Sequence, residues 1–96
     1  MDEPLKPSVA KKLIQDILKS FGVTTTVTLS GHALDEMEKD KLIVGDINNV
    51  LRGGVVQPGE FEKGSWRYQV RTNKIVVVVC FRSETELRVV TCWRMK

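Results

Sequence analysis

One histidine and several strand-borne arginines are the residues of this chain whose types could do chemistry. His32 is the only histidine, and it lies near the start of residues 30–37, a segment typical of a short helix capped by Ser30. An imidazole exchanges protons readily near neutral pH, and arginine holds phosphate through a planar fork of donors. Together they predict a small metal-free ribonuclease, and the alternative is that His32 is an ordinary helix-surface or capping residue.

RNA can be cleaved without a metal ion when its own 2′-hydroxyl attacks the adjacent phosphorus. The reaction needs a base for the hydroxyl, a cation for the charged phosphorane and an acid for the leaving oxygen. His32 could act as base or acid. Glu36 follows it by four residues, which places both on one face of a helix, so Glu36 could orient the imidazole. The alternative for Glu36 is an exposed helix position without a role.

Arg67 and Arg71 are the best candidates for binding the scissile phosphate. They alternate with apolar and aromatic residues on one predicted strand and therefore share a face. On the last strand, strict alternation places Arg88 with Cys92 and Arg94, and Thr91 with Trp93 on the other face. The predicted catalytic set is His32, Glu36, Arg67 and Arg71, and the predicted RNA-binding set is Tyr68, Arg82, Thr91, Trp93 and Arg94.

Two of these assignments have a simple structural alternative. Thr91 could be a strand residue without a role. Trp66, Tyr68 and Trp93 could stack on bases, but a tryptophan such as Trp66 or Trp93 could instead belong to the core.

Charge is distributed unevenly along the 96 residues. Residues 1–63 contain eight Lys/Arg and ten Asp/Glu, a net of −2, whereas residues 64–96 contain seven Lys/Arg and two Asp/Glu, a net of +5. Such asymmetry predicts a basic face that attracts polyanions. The alternative is that strand arginines only solvate the open face of a sheet.

The apolar patterns predict one α+β domain spanning residues 1–96. Helices are expected at about 8–21, 31–39 and 44–52, with the third burying Ile47, Val50 and Leu51. Strands are expected at 23–29, 55–57, 66–72, 75–81 and 87–93. Short connections between the later strands predict an antiparallel meander, so we expect helices packed on one face of a curled antiparallel sheet. The run Ile75 to Phe81 predicts a central strand that is either covered on both sides or almost completely buried.

Cofactors and membranes are not expected. Two cysteines and one histidine without ligand spacing predict no metal site. No apolar run approaches the length of a membrane span. The acidic N-terminal residues lack the apolar stretch of a signal peptide. We therefore expect a cytoplasmic protein with reduced thiols and no cofactor.

The order and spacing of four segments resemble a bacterial domain-of-unknown-function family. That family is grouped with the RelE-like and MqsR-like toxins of toxin–antitoxin modules, and the resemblance covers residues 23–96, after an N-terminal leader and helix at 1–22. RelE and MqsR themselves use lysine, arginine, tyrosine and glutamine in place of a helix-borne histidine. The matching segments are residues 30–37 with their Ser-x-His-Ala motif, 46–54, 65–68 and 89–94.

The resemblance implies a barnase/RelE-type fold and a toxin that inhibits translation by metal-independent cleavage of messenger RNA, either free or on the ribosome. It also implies a cognate antitoxin, expected to bind DNA, as partner. The other hypothesis is a non-catalytic domain of the same fold that binds RNA or protein.

Overall fold

The order of elements is helix, strand, two helices and five strands. The computed structural model describes all residues, 1–96, and confirms an α+β fold. No helix in it is long and apolar enough to cross a membrane. The elements are α1 (Pro7–Lys19), β1 (Thr26–Leu29), α2 (Gly31–Lys39), α3 (Val44–Gly53), β2 (Val55–Val56), β3 (Glu60–Glu62), β4 (Ser65–Arg71), β5 (Ile75–Ser83) and β6 (Glu86–Arg94).

The six strands form one mixed sheet. Its order is β1-β6-β5-β4-β2, and β3 pairs with the first half of β4. Strands β4, β5 and β6 form the expected antiparallel meander. The expectation of a wholly antiparallel sheet is wrong for β1, which runs parallel to β6 with Leu29 beside Val89. That expectation rested on short connections, whereas β1 and β6 are separated by most of the chain.

The helices cover one face of this sheet. Val77 and Val79 of β5 point to that face, where they join the buried residues of α1 and α3. Every residue from Ile75 to Phe81 is buried, as predicted. On the other face, which we call the open face, side chains of β4 and β6 flank those of β5. Val78, for example, lies between Gln69 and Thr91.

Helix α1 begins and ends earlier than its pattern predicts. Pro7 occupies the first turn and Lys6 the capping position, because proline loses no hydrogen bond there. The helix ends at Lys19, which leaves Phe21 57% exposed. Strand β1 begins only at Thr26, after a turn in which the Thr25 hydroxyl donates to the Ile17 carbonyl at 2.6 Å.

Helix α2 has the predicted bounds and the predicted Ser30 cap. Ala33 and Met37 are buried, but Leu34, whose apolar character suggests an inward position, is 51% exposed.

Strand β3 is an element that the sequence patterns do not indicate. It forms a hairpin with β4, and the connection is the two-residue turn Lys63-Gly64, with φ of 51° and 83°. Positive φ at both residues is the geometry of a type I′ turn, whose twist matches that of paired strands. Glu60 and Glu62 therefore pair with Arg67 and Ser65 and share their face of the hairpin.

A β-bulge in β6 changes which residues share a face. Val79 pairs with Val89, but its neighbour Val78 pairs with Thr91, so Val90 is the additional residue. Leu87, Val89 and Cys92 consequently all face the helices and are fully buried, whereas Arg88, Thr91 and Trp93 face the open side. The prediction that Arg88 shares a face with Cys92 is wrong, because it assumes strict alternation through the bulge.

Candidate functional site

A cleft of about 600 Å³ lies on the open face, beneath the first turn of α2. We call it the basic cleft. It contains the only histidine and four cationic side chains, and no Asp or Glu lines it. Such a surface attracts a polyanion, and its arginines match phosphate geometry. The lining residues are Ser30, His32, Lys63, Ser65, Arg67, Cys80, Phe81, Arg82, Arg88 and Val90.

Hydrogen bonds from Ser30 to the bulged part of β6 hold His32 in place. The Ser30 backbone N–H donates to the Val89 carbonyl at 3.0 Å, and its hydroxyl donates to the Val90 carbonyl at 2.7 Å. The same hydroxyl oxygen accepts the N–H of Ala33 at 2.9 Å and so caps α2. The first turn of the helix is thereby fixed against β6, and His32 in that turn is exposed at the cleft.

Three of the four cations have no carboxylate within 4.0 Å. The exception is Arg82, whose Nε lies 3.7 Å from Glu86 Oε2. Arg67 donates from Nε to the Ser65 hydroxyl at 3.3 Å, which leaves the other guanidinium nitrogens free. Arg88 has no side-chain hydrogen bond, and Lys63 extends from the turn of the hairpin. These charges are therefore available to a ligand.

Cys80 lies among the three arginines of the cleft. Burial raises the pKa of its thiol above the usual value, and the positive charges of Arg67, Arg82 and Arg88 oppose that rise. The thiol is protonated at neutral pH. Because all three guanidinium groups influence this one sulfur, their fields converge on the same part of the open face.

A second, smaller cleft of about 270 Å³ adjoins the first and shares four of its residues. We call it the side cleft. Unlike the basic cleft, it contains an indole and two carboxylates. It is lined by His32, Glu60, Glu62, Lys63, Arg67, Gln69, Val78, Val90, Thr91 and Trp93.

The structure therefore brings together five of the nine predicted site residues. His32, Arg67 and Arg82 line the basic cleft, and Thr91 and Trp93 line the side cleft beside it. The other four lie elsewhere.

Glu36 lies one turn of α2 farther along than His32, and no hydrogen bond joins them. Its carboxylate is 3.9 Å from Lys39 Nζ. It also contributes, with Asp40, to the raised pKa of Cys92, whose main cause is burial. The four-residue spacing places Glu36 on the same helix face as His32, as predicted. Only the first turn of α2 reaches the basic cleft, however, so Glu36 does not line it.

Arg71 shares the face of Arg67 as predicted, but it lies about 13 Å farther along the strand and does not line either cleft. Its Nε and Nη2 donate to Gln69 Oε1 at 2.9 and 2.7 Å.

Tyr68 belongs to the core, although it was predicted to bind RNA. It is fully buried, its hydroxyl donates to Glu3 Oε2 at 2.8 Å, and it accepts the N–H of Leu5 at 2.9 Å. Burial, chiefly, raises the pKa of Tyr68 to about 12. Arg94 is occupied at the end of α2, where Nε and Nη2 donate to the carbonyls of Asp40 and Lys41 at 3.3 and 3.4 Å.

Sequence reasoning did not assign Arg88 or Lys63 to the site. A bulge has no distinct sequence signal here, so alternation misplaced Arg88. Lys63 lies with Gly64 in the two-residue turn of the hairpin, but Lys-Gly is not one of the pairs typical of such turns, such as Asn-Gly or Asp-Gly, so the sequence did not indicate it. No group of three or more His, Cys, Asp or Glu side chains in the protein could hold a metal ion.

Comparison with known proteins gives one match. A family model described as a domain of unknown function, DUF4258, matches residues 29–94. These residues contain α2, α3 and all the strands except most of β1, and they include every residue that lines the two clefts. No curated protein and no solved structure matches the chain.

Proposed function

We propose that this chain, which belongs to the DUF4258 family, is an endoribonuclease that binds the scissile phosphate in the basic cleft and transfers protons through His32. The observation that carries the proposal is the position of the only histidine. It lies in a cleft with Lys63, Arg67, Arg82 and Arg88 and with no carboxylate.

The reaction would follow from this arrangement. The imidazole of His32 takes the proton of the 2′-hydroxyl, whose oxygen attacks phosphorus. The arginines stabilise the extra negative charge of the phosphorane. The bond from phosphorus to the 5′-oxygen then breaks, and that oxygen takes a proton from the imidazolium or from water. The products are a 2′,3′-cyclic phosphate and a 5′-hydroxyl.

The direct test is cleavage of RNA in the presence of a chelator. Wild-type protein should cleave, and His32→Ala should cleave at least about 100-fold more slowly, the usual contribution of one acid–base group. Glu38→Ala, an exposed change on the same helix, is the matched control and should be active. Both variants should have the thermal stability of the wild type, since neither side chain is buried.

Three results would count against this proposal in different ways. Full activity of His32→Ala would exclude the assigned role of His32. Binding of RNA without cleavage by the wild type would favour a non-catalytic binding domain. Failure to bind RNA at all would exclude both the endoribonuclease and the RNA-binding domain.

We further propose that the chain is the toxin of a toxin–antitoxin module that inhibits translation. The support is the resemblance of its segments to the RelE-like and MqsR-like toxins, together with a cleft suited to RNA. Induction in a host without the neighbouring gene should arrest growth, and His32→Ala should relieve the arrest. Normal growth with folded protein present would contradict the toxin proposal.

The cognate antitoxin would most simply place an acidic segment across Arg67, Arg82 and Arg88, because complementary charge also speeds the encounter. Arg71, which shares the strand face of Arg67, lies outside the cleft. The alternative surface is an apolar groove of about 500 Å³ between α1, β1 and α3. Hydrogen exchange with and without the antitoxin distinguishes the two, since occlusion requires protection of β4 and β6.

A further inference from the structure

The side cleft has the donors and acceptors that would recognise one nucleobase. We propose that it is a guanine-binding subsite, an inference that rests on the RNA-binding function proposed above. Its lining combines an indole, an amide and two carboxylates, next to a cleft that contains only cations and neutral groups.

The two clefts differ in charge, so they would bind different parts of RNA. The carboxylates of Glu60 and Glu62 make no ion pair and accept no hydrogen bond, although Glu60 is the strand partner of Arg67. Only the backbone carbonyl of Glu62 accepts a side-chain hydrogen bond, from the Ser65 hydroxyl at 3.5 Å. Two free carboxylates beside a phosphate site repel phosphate, and so weaken binding to the backbone. They accept hydrogen bonds from N–H groups, however, and the N–H groups of RNA are on its bases.

Gln69 has a fixed amide orientation. Arginine has donors only, so the two bonds from Arg71 must end on the amide oxygen, Oε1. The amide nitrogen of Gln69, a residue that lines the side cleft, donates no hydrogen bond within the protein and is left for a ligand. Arg71 would act as a positioning residue that determines which atom of Gln69 the ligand meets.

These groups complement guanine better than any other base. The Watson–Crick edge of guanine offers one acceptor, O6, followed by two adjacent donors, N1–H and N2–H. The Gln69 amide nitrogen can donate to O6. The two oxygens of one carboxylate, that of Glu60 or Glu62, can accept hydrogen bonds from N1–H and N2–H, one on each oxygen. Adenine and cytosine offer a single amino group next to an acceptor, and uracil offers one N–H between two acceptors.

Trp93 supplies the stacking surface. It is half-buried on the open face, beside Thr91 and across from Val76. An aromatic ring stacks on any base. Trp93 would therefore contribute affinity for every base, and the polar side chains of the cleft would contribute the specificity for guanine. The shared lining by His32 and Arg67 keeps this base adjacent to the phosphate.

The experiment measures binding without cleavage. The four probes are a plain fluorescent 2′-O-methyl oligouridine, which has no free 2′-hydroxyl, and three versions of it in which one central uridine is replaced by guanosine, adenosine or cytidine. Wild-type protein should bind the guanosine probe about tenfold more tightly than the other three, the discrimination typical of one bidentate contact. The double variant Glu60→Gln/Glu62→Gln should bind all four probes equally.

The matched control is Asp35→Asn/Glu38→Gln, which removes two exposed carboxylates from α2 outside both clefts. It should keep the preference for guanosine, whereas Arg71→Ala should reduce it without weakening binding of plain oligouridine. Equal binding of all probes by the wild type would overturn the guanine subsite and leave the phosphate site standing. A preference that survives in the double variant would also overturn it. Absence of binding to every probe would overturn the proposed function as well.

Discussion

The helix-covered face and the open face of the sheet use the same three strands for different purposes. Leu87 and Arg88 are neighbours on β6, but Leu87 is fully buried against the helices and Arg88 lines the basic cleft. Val79 and Cys80 show the same division on β5. Since adjacent residues have separate surroundings, the stability of the fold and the binding of a ligand can be changed independently.

The two cysteines show how local the positive field is. Both are buried, and burial raises the pKa of each thiol. Cys80, on the open face, has three arginines that oppose the rise, whereas Cys92, beneath α2, has Asp40 and Glu36 that add to it. The two thiols, on opposite faces of the sheet, are therefore surrounded by charges of different sign.

Substitutions that compare the two faces of the sheet should have their largest effect on stability. Leu87→Ala leaves a cavity on the helix-covered face and should lower the free energy of unfolding by about 2–5 kcal/mol. Arg88→Ala, one residue away, should change it by less than about 0.5 kcal/mol. Urea denaturation measures both. Equal losses for the two variants would contradict the separation of the faces.

A second effect on the helix-covered side concerns Tyr68 at alkaline pH. Because its pKa is raised to about 12 in the folded protein, against about 10 in an unfolded chain, the fold favours the protonated phenol. The resulting stabilisation, about 2–3 kcal/mol, is complete below about pH 10 and is lost as the pH rises towards 12.

Tyr68 is the only tyrosine, so the absorbance of tyrosinate follows its titration directly. Tyr68→Phe is the control and should lack the added loss of stability in this range. Ionisation of Tyr68 at its ordinary pKa, while the protein is still folded, would contradict the structure.

On the open face, two arginines of β4 are expected to contribute differently to the affinity for RNA. Arg67→Ala should weaken binding of plain oligouridine by about 1–3 kcal/mol, because a charge-assisted contact to phosphate is lost. Arg71→Ala should leave this affinity almost unchanged, since Arg71 lies outside both clefts. Arg67→Lys should restore it only in part, as an ammonium cannot form the planar fork. Equal losses for Arg67→Ala and Arg71→Ala would extend the phosphate site along the whole strand.

The sequence was sufficient for most of the architecture and for part of the site. Helix α2 was predicted with its cap and bounds because Ser30 and the apolar spacing act locally. The meander followed from short connections. The parallel pairing of β1, the bulge at Val90 and the burial of Tyr68 depend on contacts between distant parts of the chain, so local patterns could not reveal them. Arg88 was therefore missed, and Tyr68 was assigned to RNA binding. Arg71 was included because it shares the strand face of Arg67, although it lies outside both clefts.

The smallest expected effect is on the reactivity of the two thiols, and it tests the electrostatic difference directly. Only the thiolate reacts with iodoacetamide, so burial should make both cysteines slow. Cys80 should react faster than Cys92, because Arg67, Arg82 and Arg88 favour its thiolate whereas Asp40 and Glu36 disfavour that of Cys92.

A bound 2′-O-methyl oligouridine should slow Cys80 severalfold, since its phosphates neutralise the arginines and cover the cleft, and it should leave Cys92 unchanged. Mass spectrometry of the peptides separates the two sites, and Cys92→Ala isolates the rate of Cys80. If the oligonucleotide slows both cysteines equally, its effect is a general stabilisation of the fold. If it slows neither, RNA does not occupy the basic cleft.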